Sequence, residues 1–160
     1  MLSLKSLAAL AAFSAFAAFS LPAAAQLADK KALTLEAAKK LAAAAEAEAN
    51  KNKWNVVIAV VDDGGHLLYL QRADGTQTGS IDVAIKKAQT AMSFKRPTKV
   101  FEDAIAGGRN AILGLQGALP LEGGVPVTVG GQVIGAIGVS GVTAQQDGQI
   151  AKAGADSLGN

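Results

Sequence analysis

The order of apolar and polar positions divides the chain into helix-like and strand-like segments. Thr34 is predicted to cap a helix whose apolar side chains recur at helical spacing until residues 50–52. The unbroken apolar run 56–61, rich in β-branched residues, predicts a strand that is covered on both faces. Two acidic residues and two glycines at 62–65 predict a tight turn, after which residues 66–72 return as a second strand.

The return strand is predicted to have two faces, because side chains alternate in direction along a strand. One face carries His66, Leu68, Leu70 and Arg72, and the other carries Leu67, Tyr69 and Gln71. On this pattern, the imidazole of His66 and the guanidinium of Arg72 point to the same side of the sheet.

Two further helices are predicted in the middle of the chain. Ser80 is predicted to cap a helix that Pro97 stops, and Thr98 to cap a short helix that the glycines at 107–108 end. Residues 109–124 have neither helical nor strand periodicity. An irregular segment of that length in a compact domain is usually functional or mobile.

A second hairpin and a last helix complete the prediction. The glycine pair at 130–131 separates the apolar runs 125–129 and 132–140, which predicts a β-hairpin. Thr143, with Gln146 three residues later, has the capping-box pattern that opens a helix. The resulting order, α-β-β-α-α-β-β-α, contains hairpins instead of βαβ crossovers. It predicts an α+β fold in which helices pack on an antiparallel sheet.

The N-terminal segment has the features of a cleavable secretory signal. Lys5 provides a positive start, residues 7–21 are apolar, and Pro22 precedes three alanines. A membrane anchor is the alternative, but the apolar run is shorter than the roughly 20 residues that a spanning helix needs. We therefore expect a signal peptide over 1–25 and a single periplasmic or secreted domain over 26–160, with no membrane association after cleavage.

Composition restricts the partners and the chemistry of this domain. The chain has 15 Lys and Arg against 13 Asp and Glu, and removal of Lys5 with the signal leaves 14 against 13. That balance argues against nucleic acid or an anionic membrane surface as a partner. Cysteine is absent, which excludes disulfides and thiol chemistry, and the single histidine excludes a histidine-rich metal centre within one chain.

The sequence contains no motif that specifies a reaction. A G-x-S-x-G elbow, a P-loop and a dinucleotide-binding fingerprint are all absent. The neighbouring Asp62 and Asp63 have two interpretations. They could bind a cation or share a proton, but acidic residues in a turn more often accept hydrogen bonds from their own backbone, and we prefer that reading.

A set of ordered residue strings resembles a known family. The strings are Val57 to Asp62 running into Gly64-Gly65-His66-Leu67, Ser80-Ile81-Asp82 followed by Ala84, Phe94 to Thr98, Gly123 to Pro126, Gly135 to Gly141, and Gln146-Asp147. In this order and spacing they resemble the GlcG/HbpS family, which is related to the C-terminal domain of PduO-type proteins. The resemblance covers about residues 33–158.

The resemblance implies a profilin-like fold, in which a five-stranded antiparallel sheet lies between helices, and assembly into homo-oligomers. Because the pattern above predicts four strands, we expect the fifth within 109–124 or in a split of 132–140. Characterised members of the family are described as haem-binding, and some are secreted sensors of haem or iron stress. Haem is therefore the implied cofactor.

The resemblance also implies a haem site around His66, whose string holds the only imidazole in the chain. Neutral imidazole suits haem iron. Tyr69 is a weaker candidate because a phenol must first lose its proton, and Met92 is weaker because its spacing predicts a helix core. Arg96, in a matching string, and Arg72, on the predicted face of His66, are candidates for the haem propionates, since guanidinium binds carboxylates with two donors.

Three functions of different classes are compatible with these residues. The first is an exported haem-binding protein that acts as a carrier, buffer or sensor accessory. The second is a periplasmic small-molecule-binding accessory of a catabolic pathway without haem, and the third is a minor oxidoreductase. A Soret band on titration with hemin would favour the first over the second.

We predict that the mature N-terminus is Gln26 or a residue within one or two positions of it, because signal peptidases cleave after the small-residue site. Intact-mass measurement of protein purified from the producing cell checks this prediction. A soluble protein that retains residues 1–25 would contradict export.

Overall fold

The computed structural model describes residues 29–158, so the expected signal peptide lies outside the described residues. Within this range, four α-helices and one four-stranded antiparallel sheet form three layers. No helix between residues 29 and 158 is long and apolar enough to cross a membrane.

The elements follow the predicted order, and the α+β class is confirmed. The helices are α1 (Leu35–Lys51), α2 (Ser80–Phe94), α3 (Lys99–Ala106) and α4 (Ala144–Asp156), with a 3₁₀ helix at Asn110–Gly114. The strands are β1 (Val57–Asp62), β2 (Leu67–Arg72), β3 (Gly124–Val129) and β4 (Gln132–Ser140).

The sheet has the strand order β2-β1-β4-β3, which places β1 and β4 in the centre and leaves β2 and β3 as edges. Helix α2 packs on one face, and α1 and α4 pack together on the other. Ile58 and Val60 of β1 face α1 and α4, whereas Val57, Ala59 and Val61 face α2. Burial on both faces explains why the run 56–61 contains no polar residue.

Two of the four predicted helix caps are confirmed. Thr34 accepts a hydrogen bond from the Ala37 amide at 3.2 Å, and Thr143 and Gln146 form the predicted capping box. The prediction for Ser80 is wrong, because Ser80 is the first residue inside α2 and its side chain makes no cap. Its buried hydroxyl instead accepts a hydrogen bond from the Ser140 hydroxyl at 3.2 Å, which ties the start of α2 to the end of β4.

The expected fifth strand is not present in the described residues. Residues 132–140 form one continuous strand, and the segment 109–124 contains the 3₁₀ helix and reaches a strand only at Gly124. In that segment the Leu119 amide donates to the Thr90 hydroxyl of α2 at 2.9 Å. A backbone amide that bonds to a helix side chain is not available to a ladder, so the segment lies over α2 instead of extending the sheet.

A β-bulge changes the faces of β2. The pairing with β1 shifts between Val60 and Val61, which leaves Leu68 without an opposite residue. Leu68 packs against the cluster under α1 and α4, whereas Leu70 packs on the α2 side. The single face predicted for His66, Leu68, Leu70 and Arg72 is therefore wrong.

Gly138 of β4 allows α2 to approach the sheet closely. An added Cβ would lie 2.5 Å from the Ala88 amide nitrogen and against the Ala84 carbonyl oxygen. We predict that Gly138→Ala lowers the free energy of unfolding by about 3 kcal/mol, because backbone atoms cannot move aside as a flexible side chain can. Urea unfolding measures the change. The control is Gly114→Ala, whose Cβ has no atom within 4 Å, and an equal loss there would contradict the explanation.

Candidate functional site

The turn that carries His66 is held by one carboxylate. Asp62 Oδ1 accepts hydrogen bonds from the Gly64 and His66 amides, both at 2.8 Å. The backbone closes the same turn, since the Asp62 amide donates to the His66 carbonyl at 2.9 Å. The side chain of His66 is nevertheless 83% exposed. The turn therefore fixes the backbone of His66 and presents its imidazole to solvent.

The Asp62 carboxylate also orients the ring. His66 Nδ1 lies 3.4 Å from Asp62 Oδ1, and the Nδ1–Cε1 edge of the ring lies over Gly64, where a Cβ would be 2.8 Å away. Desolvation raises the pKa of Asp62, but the amide donors and the nearby imidazole outweigh it, so the pKa lies below its usual value. An ionised carboxylate beside Nδ1 favours the imidazole tautomer that carries its proton on Nδ1. In this tautomer the lone pair is on Nε2, where it is available to a metal ion.

The two carboxylates of the turn have separate partners. Asp63 forms an ion pair with Lys30, while Asp62 is occupied by backbone amides. Among residues 29–158 there is no group of three or more His, Cys, Asp or Glu side chains arranged to hold a metal ion. Asp62 thus accepts hydrogen bonds from its own turn, as preferred from the sequence, whereas Asp63 pairs with Lys30 instead.

Three lysines gather at the same end of the sheet as the His66 turn. Asp62 pairs with Gly135 of β4, so the turn 63–66 and the turn 130–131 project from the same end. Lys30 and Lys31, together with Lys95, line shallow pockets beside the 130–131 turn. Since Lys30 also pairs with Asp63, this lysine cluster connects the two turns.

Arg72 lies far from His66. It ends β2 opposite Val57, whereas His66 precedes the other end of that strand. With a rise of about 3.3 Å per residue, the six steps along the strand from position 66 to position 72 span roughly 20 Å. The structure therefore does not bring the imidazole and this guanidinium together within one chain.

Tyr69 and Arg96 are both occupied by local contacts. The Tyr69 hydroxyl donates to Gln71 at 3.2 Å, and its ring packs against the core under α1 and α4. The Arg96 guanidinium carbon lies 5.9 Å from the centre of the Phe101 ring, and its Nε donates to the Phe94 carbonyl at 3.2 Å. Arg96 remains exposed, just after the left-handed residue Lys95 that ends α2.

A buried ion pair, missed in the sequence, lies at the other end of β3. Lys87 Nζ of α2 is 2.7 Å from Asp147 Oδ2 of α4, and both side chains are 3% exposed. The ammonium also donates to the Val139 carbonyl at 3.0 Å, and Asp147 Oδ1 accepts from the Val142 amide at 3.3 Å. Burial raises the pKa of Asp147, while Lys87 and the backbone amides of Val142 and Gly141 oppose the shift.

Two glycines at the start of β3 make room for this pair. A Cβ on Gly123 would lie 2.7 Å from Lys87 Nζ, and one on Gly124 would collide with the Lys87 carbonyl. Thr98, predicted as a helix cap, uses its hydroxyl instead to accept from the Gly124 amide at 2.9 Å. The loop that follows α2 is thereby fastened to the edge of the sheet.

A cleft of about 360 Å³ opens over these glycines, between the 97–99 segment, the start of β3 and helix α4. Glu122 lines it with a side chain that is 15% exposed. Its Oε1 points toward Gly148 of α4, where a Cβ would be 2.5 Å away. The cleft thus combines glycine backbone with one mostly buried carboxylate.

Comparison with known proteins assigns the family. The family model described as haem degrading protein HbpS-like matches residues 33–156. The chain belongs to this HbpS-like family. The resemblance drawn from the residue strings is therefore confirmed, and four of those strings (94–98, 123–126, 135–141 and 146–147) meet around the buried ion pair.

Individual relatives agree with the family match. Protein GlcG of Escherichia coli K12 is 48% identical over 108 residues, covering 68% of this HbpS-like chain and 81% of GlcG. A crystal structure of a Streptomyces reticuli HbpS double mutant has a TM-score of 0.76 and 40% identity, covering 87% of this chain and 97% of that one. A crystal structure of a PduOC–haem complex has a TM-score of 0.72 and 27% identity, covering 81% and 96%.

The residues missed in the sequence share a cause. Lys87, Glu122, Lys30 and Lys31 acquire their surroundings from segments far away in the chain. One signal for Lys87 exists, because it lies three residues after Ala84 and four before Ala91, on the side of α2 that is buried. A lysine inside an apolar stripe indicates a buried partner.

We predict that Lys87→Met lowers the free energy of unfolding at pH 7 by about 3–5 kcal/mol, because it leaves the Asp147 carboxylate buried without its cation. The loss should shrink as the pH falls, since protonation removes the unpaired charge. Urea unfolding at several pH values measures both effects. Lys86→Met, the same change at a half-buried neighbour, is the control, and a similar loss there would contradict a specific role for the pair.

Proposed function

We propose that this protein is an exported haem-binding protein that acts as a carrier, buffer or sensor accessory, with His66 as the axial ligand of the iron. The observation that carries the proposal is the exposed imidazole whose Nδ1 faces Asp62 and whose Nε2 has no hydrogen-bond partner among residues 29–158. A histidine ligand that is oriented by a carboxylate is a common arrangement at metal sites. The family description and the PduOC–haem relative support haem as the ligand.

The side chains around His66 fit the other requirements of haem. The lysine cluster (Lys30, Lys31 and Lys95) supplies cations for the two propionates at this end of the sheet. Arg72 is too distant for that role within one subunit, and Arg96 is already stacked on Phe101. Tyr69 donates its hydroxyl proton to Gln71, which favours His66 as the ligand.

We propose that a second copy of the chain covers the haem ring. The exposed apolar side chain next to His66 is Leu67, on the edge strand β2, and it is 46% exposed. Further large apolar side chains are exposed on the 109–121 segment and α3, at Leu113, Leu121 and Val100. Apolar surface of this kind together with two unpaired sheet edges favours assembly into a homo-oligomer.

Bound haem would give the protein a redox-active iron and an intense visible absorption. The chain's own residues would hold the iron through Nε2 of His66, keep the imidazole in one tautomer through Asp62, and neutralise the propionates through the lysines. None of these roles includes a reaction, and this fits a carrier, buffer or sensor more closely than an enzyme.

We predict that titration of the purified protein with hemin gives a saturable Soret band, and that His66→Ala shifts this band and weakens binding at least about 10-fold. Asp62→Asn, which retains an oxygen acceptor for the turn amides, should weaken binding by a smaller factor, up to about 10-fold. Absorption spectra in both redox states provide the measurement, and light scattering of the same samples reports the oligomeric state.

One arginine variant and one lysine variant complete the experiment. Arg72→Ala should leave the affinity for hemin unchanged because Arg72 lies at the other end of β2, whereas Lys31→Ala should reduce it. An unchanged Soret position and affinity in His66→Ala would exclude His66 as the ligand. A stable monomer at micromolar concentration with and without hemin would contradict the second copy.

A further inference from the structure

The cleft over the start of β3 is separate from the His66 turn. β3 begins at Gly124 beside the cleft and ends at Val129 beside the 130–131 turn, which is at the His66 end of the sheet. With a rise of about 3.3 Å per residue, the strand holds the two regions roughly 17 Å apart. A ligand in the cleft therefore does not use the proposed haem ligand.

Three glycines shape the cleft. Gly123 and Gly124 form its floor over Lys87, and Gly148 leaves a gap in α4 opposite Glu122. A Cβ at position 148 would lie 2.5 Å from Glu122 Oε1 and 2.8 Å from its Cγ. Glycine inside a helix costs stability relative to alanine. At this position, the cost is offset because the missing side chain lets the carboxylate lie against the helix.

The Glu122 carboxylate lacks a hydrogen-bond donor within residues 29–158. The nearest cation is Lys99, whose Nζ is 3.9 Å from Oε2, and Lys99 is already paired with Asp103 at 2.7 Å. Burial raises the pKa of Glu122; Lys99 opposes this shift, and the carboxylates of Glu102 and Asp103 add to it. The carboxylate lines the cleft and is held only by this long ion pair, so it can accept hydrogen bonds from a ligand with donors.

The charges around the cleft favour a cationic ligand. Glu122, Glu102, Asp103 and Asp156 provide four negative charges near it, and Lys99 and Lys152 provide two positive ones. The charge of Lys87, under the floor of the cleft, is balanced by its partner Asp147. Both lysines are engaged, since Lys99 pairs with Asp103 and Lys152 with Asp156. The remaining lining is apolar or glycine, including Pro97 and Val125. A ligand with a short apolar chain and one positively charged end matches this lining.

We propose that the cleft binds a small organic cation, a protonated primary amine on a short apolar chain, whose ammonium group donates to Glu122. The ammonium would supply the donor that the carboxylate lacks. The apolar chain would lie on Pro97, Val125 and the glycine backbone. This site is independent of haem, so it can be tested on haem-free protein.

The test uses n-butylammonium as the probe, with n-butanol and butyrate as neutral and anionic probes of the same chain length. Nuclear magnetic resonance of ¹⁵N-labelled, haem-free protein follows the amides of Gly123, Gly124 and Gly148, with Gly65 as a remote reporter. We expect saturable shifts of the cleft glycines with butylammonium. Butanol should bind at least about 10-fold more weakly, because a hydrogen bond to a charged group is worth about 1.5–3 kcal/mol.

Two substitutions of the same type separate Glu122 from general charge effects. Glu122→Gln should reduce the affinity for butylammonium to that for butanol, and Glu36→Gln, on the exposed start of α1, should leave it unchanged. The proposal is overturned if butanol binds the wild-type protein as tightly as butylammonium, if butyrate binds more tightly than either, or if no probe gives saturable shifts. The comparison of probes on wild-type protein decides the matter even if Glu122→Gln does not fold.

Discussion

A buried ion pair joins the two helical layers of this molecule. Lys87 belongs to α2 on one face of the sheet and Asp147 to α4 on the other. Removing two charges from water costs several kcal/mol per ion, and that cost is offset only where each ion is fully hydrogen-bonded. Here the Val139 carbonyl accepts a second hydrogen bond from the ammonium, and the Val142 amide donates to the carboxylate. The pair therefore fixes the end of β4 and the start of α4 as well as the two helices.

The packing of small residues places Lys87 where it can make this contact. Gly138 of β4 lies against Ala84 and Ala88, and Gly124 lies against the backbone of Lys87, so α2 sits directly on the sheet. From that position the lysine side chain passes the edge of β3, where Gly123 has no side chain to block it. Tight interiors transmit such constraints, because few voids absorb a displacement. Small residues and the ion pair thus depend on each other.

The sequence was informative where structure is local. The turn at 62–65, the Thr34 cap and the capping box each involve hydrogen bonds between residues a few positions apart, and all were found. The bulge at Leu68 gave no signal, because its neighbour Leu67 is also apolar and either could occupy the buried face. Lys87 was missed because lysine is ordinarily exposed. The fifth strand came from the resemblance alone, and the segment 109–124 is held by bonds to α2 and α3 instead.

The two candidate sites also differ in how far apart in the chain their residues lie. The cleft is assembled from three distant segments, and its Glu122 could be recognised only once they were brought together. His66 was recognisable from the sequence because its environment is built within five residues. His66 also differs from most other residues of the strings that resemble the GlcG/HbpS family. Those residues hold the layers together, whereas the His66 side chain is exposed and adds nothing to the core. An exposed imidazole that the core does not use, held beside a carboxylate, supports the proposal that His66 binds a ligand.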